Sequence, residues 1–269
     1  MAFLQRASAE IYYTSWGEHG EWITLLNGFM RSSSDFTLLA KGLVKAGFRV
    51  LTLDNRGTGQ TGYTLAFTLA DLAEDLVAVW KREEIMRSHV VGFSMGGLLA
   101  QQVAIREPAR MNSLSLVSSC LHPSQILRPT AFWSVDVEGN RQILEKYVSH
   151  SFRQRNQGLL RLMAQGIATA VEKNDFLTHA ARQLEALRSY ETPSVEELCA
   201  LRCPVLLLHG REDAVIPLEE AHRLQEAFVH SRLEIAEDTG HLLLAEKGAW
   251  LLSMLLSFFG EAKKATTTL

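Results

Sequence analysis

A doubly wound α/β fold, with a mostly parallel sheet covered by helices on both faces and a helical insertion, is predicted by three features of this 269-residue chain. Short β-prone runs alternate with amphipathic helical stretches, and parallel neighbours need such crossovers. The composition, 47% hydrophobic and 21% charged, excludes a disordered chain and suits one well-buried core. Between Ser119 and Val205 no convincing strand appears and helical patterns dominate.

The elements follow in order. Residues 10–15 and 21–26 are β-prone and separated by Gly17 and Gly20, which predicts an antiparallel hairpin at a sheet edge. Phe36, Leu39, Leu43 and Ala46 recur at helical spacing; Asp35 or a preceding serine can cap the start, and Gly47 ends the pattern. Residues 48–53 form a strand that stops at the turn-rich loop Asp54-Asn55-Arg56-Gly57-Thr58-Gly59. An amphipathic helix over 69–82 carries Leu69, Leu72, Leu76, Val79 and Trp80 on one face. A strand over 89–93 runs into Ser94 and a helix over 98–106; strands over 114–118, 205–209 and 232–236 complete the sheet. Helical patterns over 141–152, 159–171 and 176–187 predict a cap, so the expected organisation is a core of residues 1–120 and 200–269 with a cap of residues 121–199.

Charge and cysteine content narrow the function. A net charge of −3 gives no field that would gather phosphate backbones or an anionic membrane surface, so no nucleic-acid partner is expected. The apolar stretch over 249–259 is shorter than the roughly 20 residues of a spanning helix, and Ser253 and Ser257 interrupt it, so no membrane span is expected. Around Arg6 and Glu10 there is no apolar core followed by a cleavage site, hence a cytoplasmic location is expected. Cys120, Cys199 and Cys203 cannot all pair, and Cys199 and Cys203 lack nearby histidines for a zinc site. No metal or cofactor is implied.

The motif that carries chemistry is Gly92-Phe93-Ser94-Met95-Gly96, which fits G-x-S-x-G between a strand and a helix. Such a turn exposes the serine hydroxyl, and the flanking glycines remove side chains that would collide there. Ser94 could instead merely cap the helix. A serine hydroxyl is a poor nucleophile without a base that a third group orients, so two partners are needed. Among nine histidines, His241 follows the last strand in Asp238-Thr239-Gly240-His241, where an imidazole can reach the carboxyl edge of the sheet. Asp213, in Gly210-Arg211-Glu212-Asp213, directly follows the strand over 205–209, at the edge where open α/β sheets bind ligands. Glu212 is its rival, and Asp54 reads as a turn former. A tetrahedral intermediate also needs two donors: the backbone N–H of Met95 and that of Phe29, in the loop Asn27-Gly28-Phe29. Gly28 and Asn27 are the expected substrate contacts.

These stretches resemble α/β-hydrolase-fold serine esterases, similar to the small bacterial carboxylesterases that include the pimeloyl-carrier-protein methyl esterases. The resemblance covers nearly the whole chain: Leu25-Leu26-Asn27-Gly28-Phe29, Asp54-Asn55-Arg56-Gly57-Thr58-Gly59, Val90-Val91-Gly92-Phe93-Ser94-Met95-Gly96-Gly97, Cys203-Pro204-Val205-Leu206-Leu207-Leu208-His209-Gly210 with Asp213, and Gly240-His241. It implies an α/β-hydrolase fold and serine hydrolysis of a small-molecule ester. Asn27 departs from the histidine usual before the oxyanion glycine. Three classes stay open: an ester or thioester hydrolase with an apolar acyl pocket under the cap, a carbon–carbon bond hydrolase using the same residues, and a non-catalytic ligand-binding member. Over residues 141–161 the cap carries Arg141, Lys146, Arg153, Arg155 and Arg161 against Glu145, a local excess of positive charge. That excess is either a solvated face or a dock for an acidic acyl carrier protein or for the carboxylate end of a substrate.

Overall fold

The computed structural model describes residues 1–127, 133–173 and 175–267; positions 128–132 and 174 of the expected 121–199 insertion lie outside the described residues. The strands are β1 (Ala2–Arg6), β2 (Ala9–Trp16), β3 (Trp22–Leu26), β4 (Arg49–Leu53), β5 (Gly62–Tyr63), β6 (Ser88–Phe93), β7 (Met111–Val117), β8 (Val205–Gly210) and β9 (Ser231–Ala236). They form one sheet in the order β1-β2-β4-β3-β6-β7-β8-β9, with β5 paired to β2. Every pairing from β4 through β9 along that path is parallel; those of β2 with β1, β4 and β5 are antiparallel.

The expected hairpin of residues 10–15 with 21–26 does not form. β2 turns back on β1, Ala2 opposite Tyr13 and Arg6 opposite Ala9, while β4 lies between β2 and β3. The reason is burial. All five residues of β3 are buried, the signature of a central strand covered on both faces and flanked by parallel neighbours. β2 instead ends in partly exposed residues near the sheet edge.

The helices are α1 (Thr37–Lys45), α2 (Leu69–Arg82), α3 (Met95–Arg106), α4 (Val137–Glu145), α5 (His150–Arg155), α6 (Gln157–Lys173), α7 (Phe176–Arg188), α8 (Val195–Cys199), α9 (Leu218–Ala227), α10 (Leu243–Glu246) and α11 (Gly248–Thr267). Strand alternation divides the core: Trp22 and Leu26 of β3 face α2 and α3 with Trp80, Leu98 and Val103, whereas Ile23 and Leu25 face α1 and α11 with Leu43, Leu255 and Phe259. α2 starts on a capping box between Thr68 and Asp71. A 3-10 turn, Ser33–Phe36, precedes α1; Asp35 pairs with Arg31 there and caps nothing.

Between β7 and β8 run α4 to α8; Leu144 of α4, Val148 after it and Leu160 and Ala164 of α6 form a small apolar cluster, whereas Ala186 and Leu187 of α7 and Leu198 of α8 join the main core. The single helix expected over 141–152 is broken. Ser149 accepts a bond from the Phe152 N–H and starts α5 afresh. Among the described residues, no helix is long and apolar enough to cross a membrane.

Candidate active site

Ser94 joins the end of β6 to the start of α3 with φ 52 and ψ −118, a region that costs a residue with a Cβ about 1–3 kcal/mol. Three bonds hold it there. Its N–H donates to the Val117 carbonyl at 2.9 Å, and its carbonyl accepts from the Gly97 N–H at 2.8 Å and the Ser119 hydroxyl at 2.9 Å. The turn closes only around glycine: a Cβ on Gly92 would lie 2.3 Å from the Gly96 carbonyl oxygen, and one on Gly96 would lie 2.3 Å from that of Leu26. The Ser94 side chain makes no helix-capping bond. Its Oγ points instead to His241.

His241 sits between β9 and α10, with Nε2 3.2 Å from Ser94 Oγ and Nδ1 2.9 Å from Asp213 Oδ2. The Asp213 side chain is fully buried after β8. Its other oxygen accepts from the Val215 N–H at 2.9 Å and the Ile216 N–H at 2.8 Å, so the carboxylate is held at both ends. His209 Nε2 lies 3.5 Å from Asp213 Oδ2 but donates to the Ile216 carbonyl at 2.8 Å; burial lowers its pKa. Glu212, the rival acid, accepts from the His150 N–H at 2.9 Å and does not meet His241. Asp54 accepts from the Ser33 and Gln60 N–H groups, as a turn former would. A hydroxyl, an imidazole and a buried carboxylate in this line can move a proton off the hydroxyl while the carboxylate stabilises the imidazolium.

The loop Asn27-Gly28-Phe29 runs alongside Ser94: a Cβ on Gly28 would lie 3.4 Å from Ser94 Cβ and 3.9 Å from its Oγ. Among the described residues the amides of Phe29 and Met95 meet no acceptor; Phe29 follows Gly28 in this loop and Met95 follows Ser94 in the chain. Asn27 differs from the expected substrate contact. Its Oδ1 accepts from the Gly28 N–H at 2.9 Å, and its amide donates to the Ser32 carbonyl and to Asp35, so the side chain is turned into the loop and braces it.

Residues 21–248 match the family model described as alpha/beta hydrolase fold. The chain belongs to the α/β-hydrolase fold family. It is 26% identical to RutD of Variovorax paradoxus (strain S110), a candidate carbamate hydrolase, over 90% of this chain and 92% of that one. It is also 26% identical to the pimeloyl-[acyl-carrier protein] methyl ester esterase of Hamiltonella defensa, over 93% of this chain and 96% of that one. Its fold superposes on the meta-cleavage product hydrolase CumD of Pseudomonas fluorescens IP01 with a TM-score of 0.81 at 22% identity, covering 94% of this chain and 95% of that one.

In this α/β hydrolase the insertion reaches the histidine loop through contacts that helix periodicity alone does not reveal. The Tyr147 carbonyl, at the break between α4 and α5, accepts from the His241 N–H at 2.8 Å and the Leu242 N–H at 3.1 Å. The Tyr147 ring stands edge-on to the imidazole at 5.7 Å, and Trp133 lies 5.9 Å beyond it. Glu246 accepts from the Gly240 N–H at 3.0 Å and the Ser149 N–H at 2.9 Å. Ser149, a good helix start inside an otherwise helical pattern, was the available signal. Within the basic stretch over residues 141–161, Arg141 is paired with both Glu138 and Glu145. Among the described residues, no group of three or more His, Cys, Asp or Glu side chains could hold a metal ion.

Proposed function

We propose that the chain is a serine hydrolase that cleaves carboxylic esters or thioesters through an acyl-enzyme on Ser94. One observation carries this: a serine in a strained conformation, free of any capping bond, has its Oγ 3.2 Å from the Nε2 of a histidine that a buried aspartate holds. His241 Nε2 takes the hydroxyl proton as Oγ adds to the carbonyl carbon, and the Phe29 and Met95 amides receive the developing oxyanion. As the tetrahedral intermediate collapses, the imidazolium gives its proton to the leaving alcohol or thiol. Water, deprotonated by the same imidazole, then releases the acid and restores Ser94.

The aromatic path Trp133, Tyr147, His241 supports an apolar group lying under the insertion. Lys146, Arg155 and Arg161 remain exposed on the insertion, which favours a carrier-bound acyl ester as one substrate form beside free small esters. The free thiols of Cys120, Cys199 and Cys203 fit a reducing cytoplasm.

The test is a fluorophosphonate label read by intact mass, followed by a panel of small esters, carrier-bound acyl esters, carbamates and a vinylogous diketone. One label should attach per chain, and both label and ester turnover should vanish in Ser94→Ala. Wild-type protein that stays unlabelled would make it a ligand-binding member of the family. Diketone turnover far above ester turnover would move the same residues to carbon–carbon hydrolysis.

A further inference from the structure

Gln183 lies on α7, in the insertion, yet its side chain is 0% exposed and both ends of its amide reach main chain in the core. Its Oε1 accepts from the Met30 N–H at 2.9 Å, and its Nε2 donates to the Arg56 carbonyl at 3.0 Å. Met30 directly follows Phe29 and holds φ 55, an unfavourable conformation for a side-chain-bearing residue. A buried carboxylate could not donate to the carbonyl, and an ammonium could not accept from the amide, so this bridge asks for an amide of this length.

We infer that Gln183 is a positioning residue: it holds the Met30 peptide in its strained state and thereby aims the neighbouring Phe29 N–H at the oxyanion formed on Ser94. This rests on the serine-hydrolase reading above. It makes the insertion a structural part of the oxyanion hole as well as a cover for the substrate. α7 has a second bridge to the core, from His179 Nδ1 to the Tyr63 hydroxyl at 3.0 Å, which touches neither Phe29 nor Met30 and so provides a control.

The experiment compares an oxoester with its thionoester, whose sulfur is a larger and weaker hydrogen-bond acceptor and gains less from the two amides. In Gln183→Met, which keeps the volume and loses both bonds, kcat on the oxoester should fall roughly ten- to a hundredfold with KM little changed. The oxoester-to-thionoester ratio of kcat/KM should fall with it. Tyr63→Phe, which loosens the same helix elsewhere, should keep the wild-type ratio. Gln183→Glu, which retains an acceptor for Met30, should keep most of it. If Gln183→Met does not fold, Gln183→Asn, one methylene too short to span both loops, replaces it with the same expectation. A ratio unchanged in Gln183→Met, or lowered equally by Tyr63→Phe, overturns the assignment. Wild-type protein that turns over neither ester sinks the serine-hydrolase reading itself, an outcome distinct from a wild-type preference that survives the loss of Gln183.

Discussion

Two adjacent acids at the end of β8 meet different donors, and that difference separates their roles. Asp213 accepts from the Val215 and Ile216 amides on one oxygen and from His241 Nδ1 on the other, while Glu212 accepts from the His150 amide in the insertion. In Asp213→Asn the carbonyl oxygen can keep the two backbone bonds only by turning its NH2 towards Nδ1, which forces the imidazole into the tautomer that cannot accept the serine proton. Ester kcat should then drop by about 10³ to 10⁴. Glu212→Gln still offers an oxygen to His150, and steady-state kinetics should find its kcat close to wild type; the reverse ranking would exchange the two assignments. The residue types at the site were readable because each stands at a strand end beside a diagnostic neighbour: Ser94 between glycines, Asp213 after β8, His241 after Gly240. The direction of the Asn27 side chain was not readable, since it depends on Ser32 and Asp35 meeting it across a folded loop.

At the scale of elements, the break between α4 and α5 is a feature of the site. An unbroken helix would direct the Tyr147 carbonyl to an amide four residues on; with the helix broken, the carbonyl takes the His241 and Leu242 amides. Glu246, closing α10, ties the same two segments through Gly240 and Ser149, and burial raises its pKa above the usual carboxylate value. In Glu246→Gln one of the two backbone N–H groups would face an NH2 instead of an oxygen, an unmet donor worth about 1–3 kcal/mol. Urea unfolding should report that loss, and ester kcat should fall as His241 shifts from Ser94. Full stability with unchanged kcat would show that the carboxylate is dispensable. Helix periodicity marked α2 to the residue because its apolar stripe is local. The pairing of β2 was misread because local turn residues cannot reveal that β4, from a later stretch of chain, enters between β2 and β3.

The whole molecule places its candidate site at one end of the sheet and a buried histidine at the other. Ser94, Asp213 and His241 follow the carboxyl ends of β6, β8 and β9, whereas His89 lies near the start of β6, 1% exposed. Its ring packs 4.5 Å from Phe259 and 6.1 Å from Phe48, Nδ1 meets the Ser113 hydroxyl at 2.8 Å, and Nε2 is buried without a partner. Burial, aided by the positive charges of Arg87 and Lys263, lowers its pKa from 6.5 to about 4. Between those values the unfolded chain binds a proton that the folded chain refuses, so stability rises with pH across the window and is lost as pH falls from 6.5 towards 4. From pH 7 to about pH 4.5 this one group should remove about 2 kcal/mol. His89→Phe keeps an aromatic ring against Phe48 and Phe259 and leaves the Ser113 hydroxyl unpaired, which alters stability at both pH values alike. The informative quantity is therefore the difference between urea-unfolding free energies at the two pH values, which should shrink by about 2 kcal/mol in the variant. An undiminished difference would mean that the imidazole accepts its proton within the fold, and that the acid sensitivity of the protein arises elsewhere.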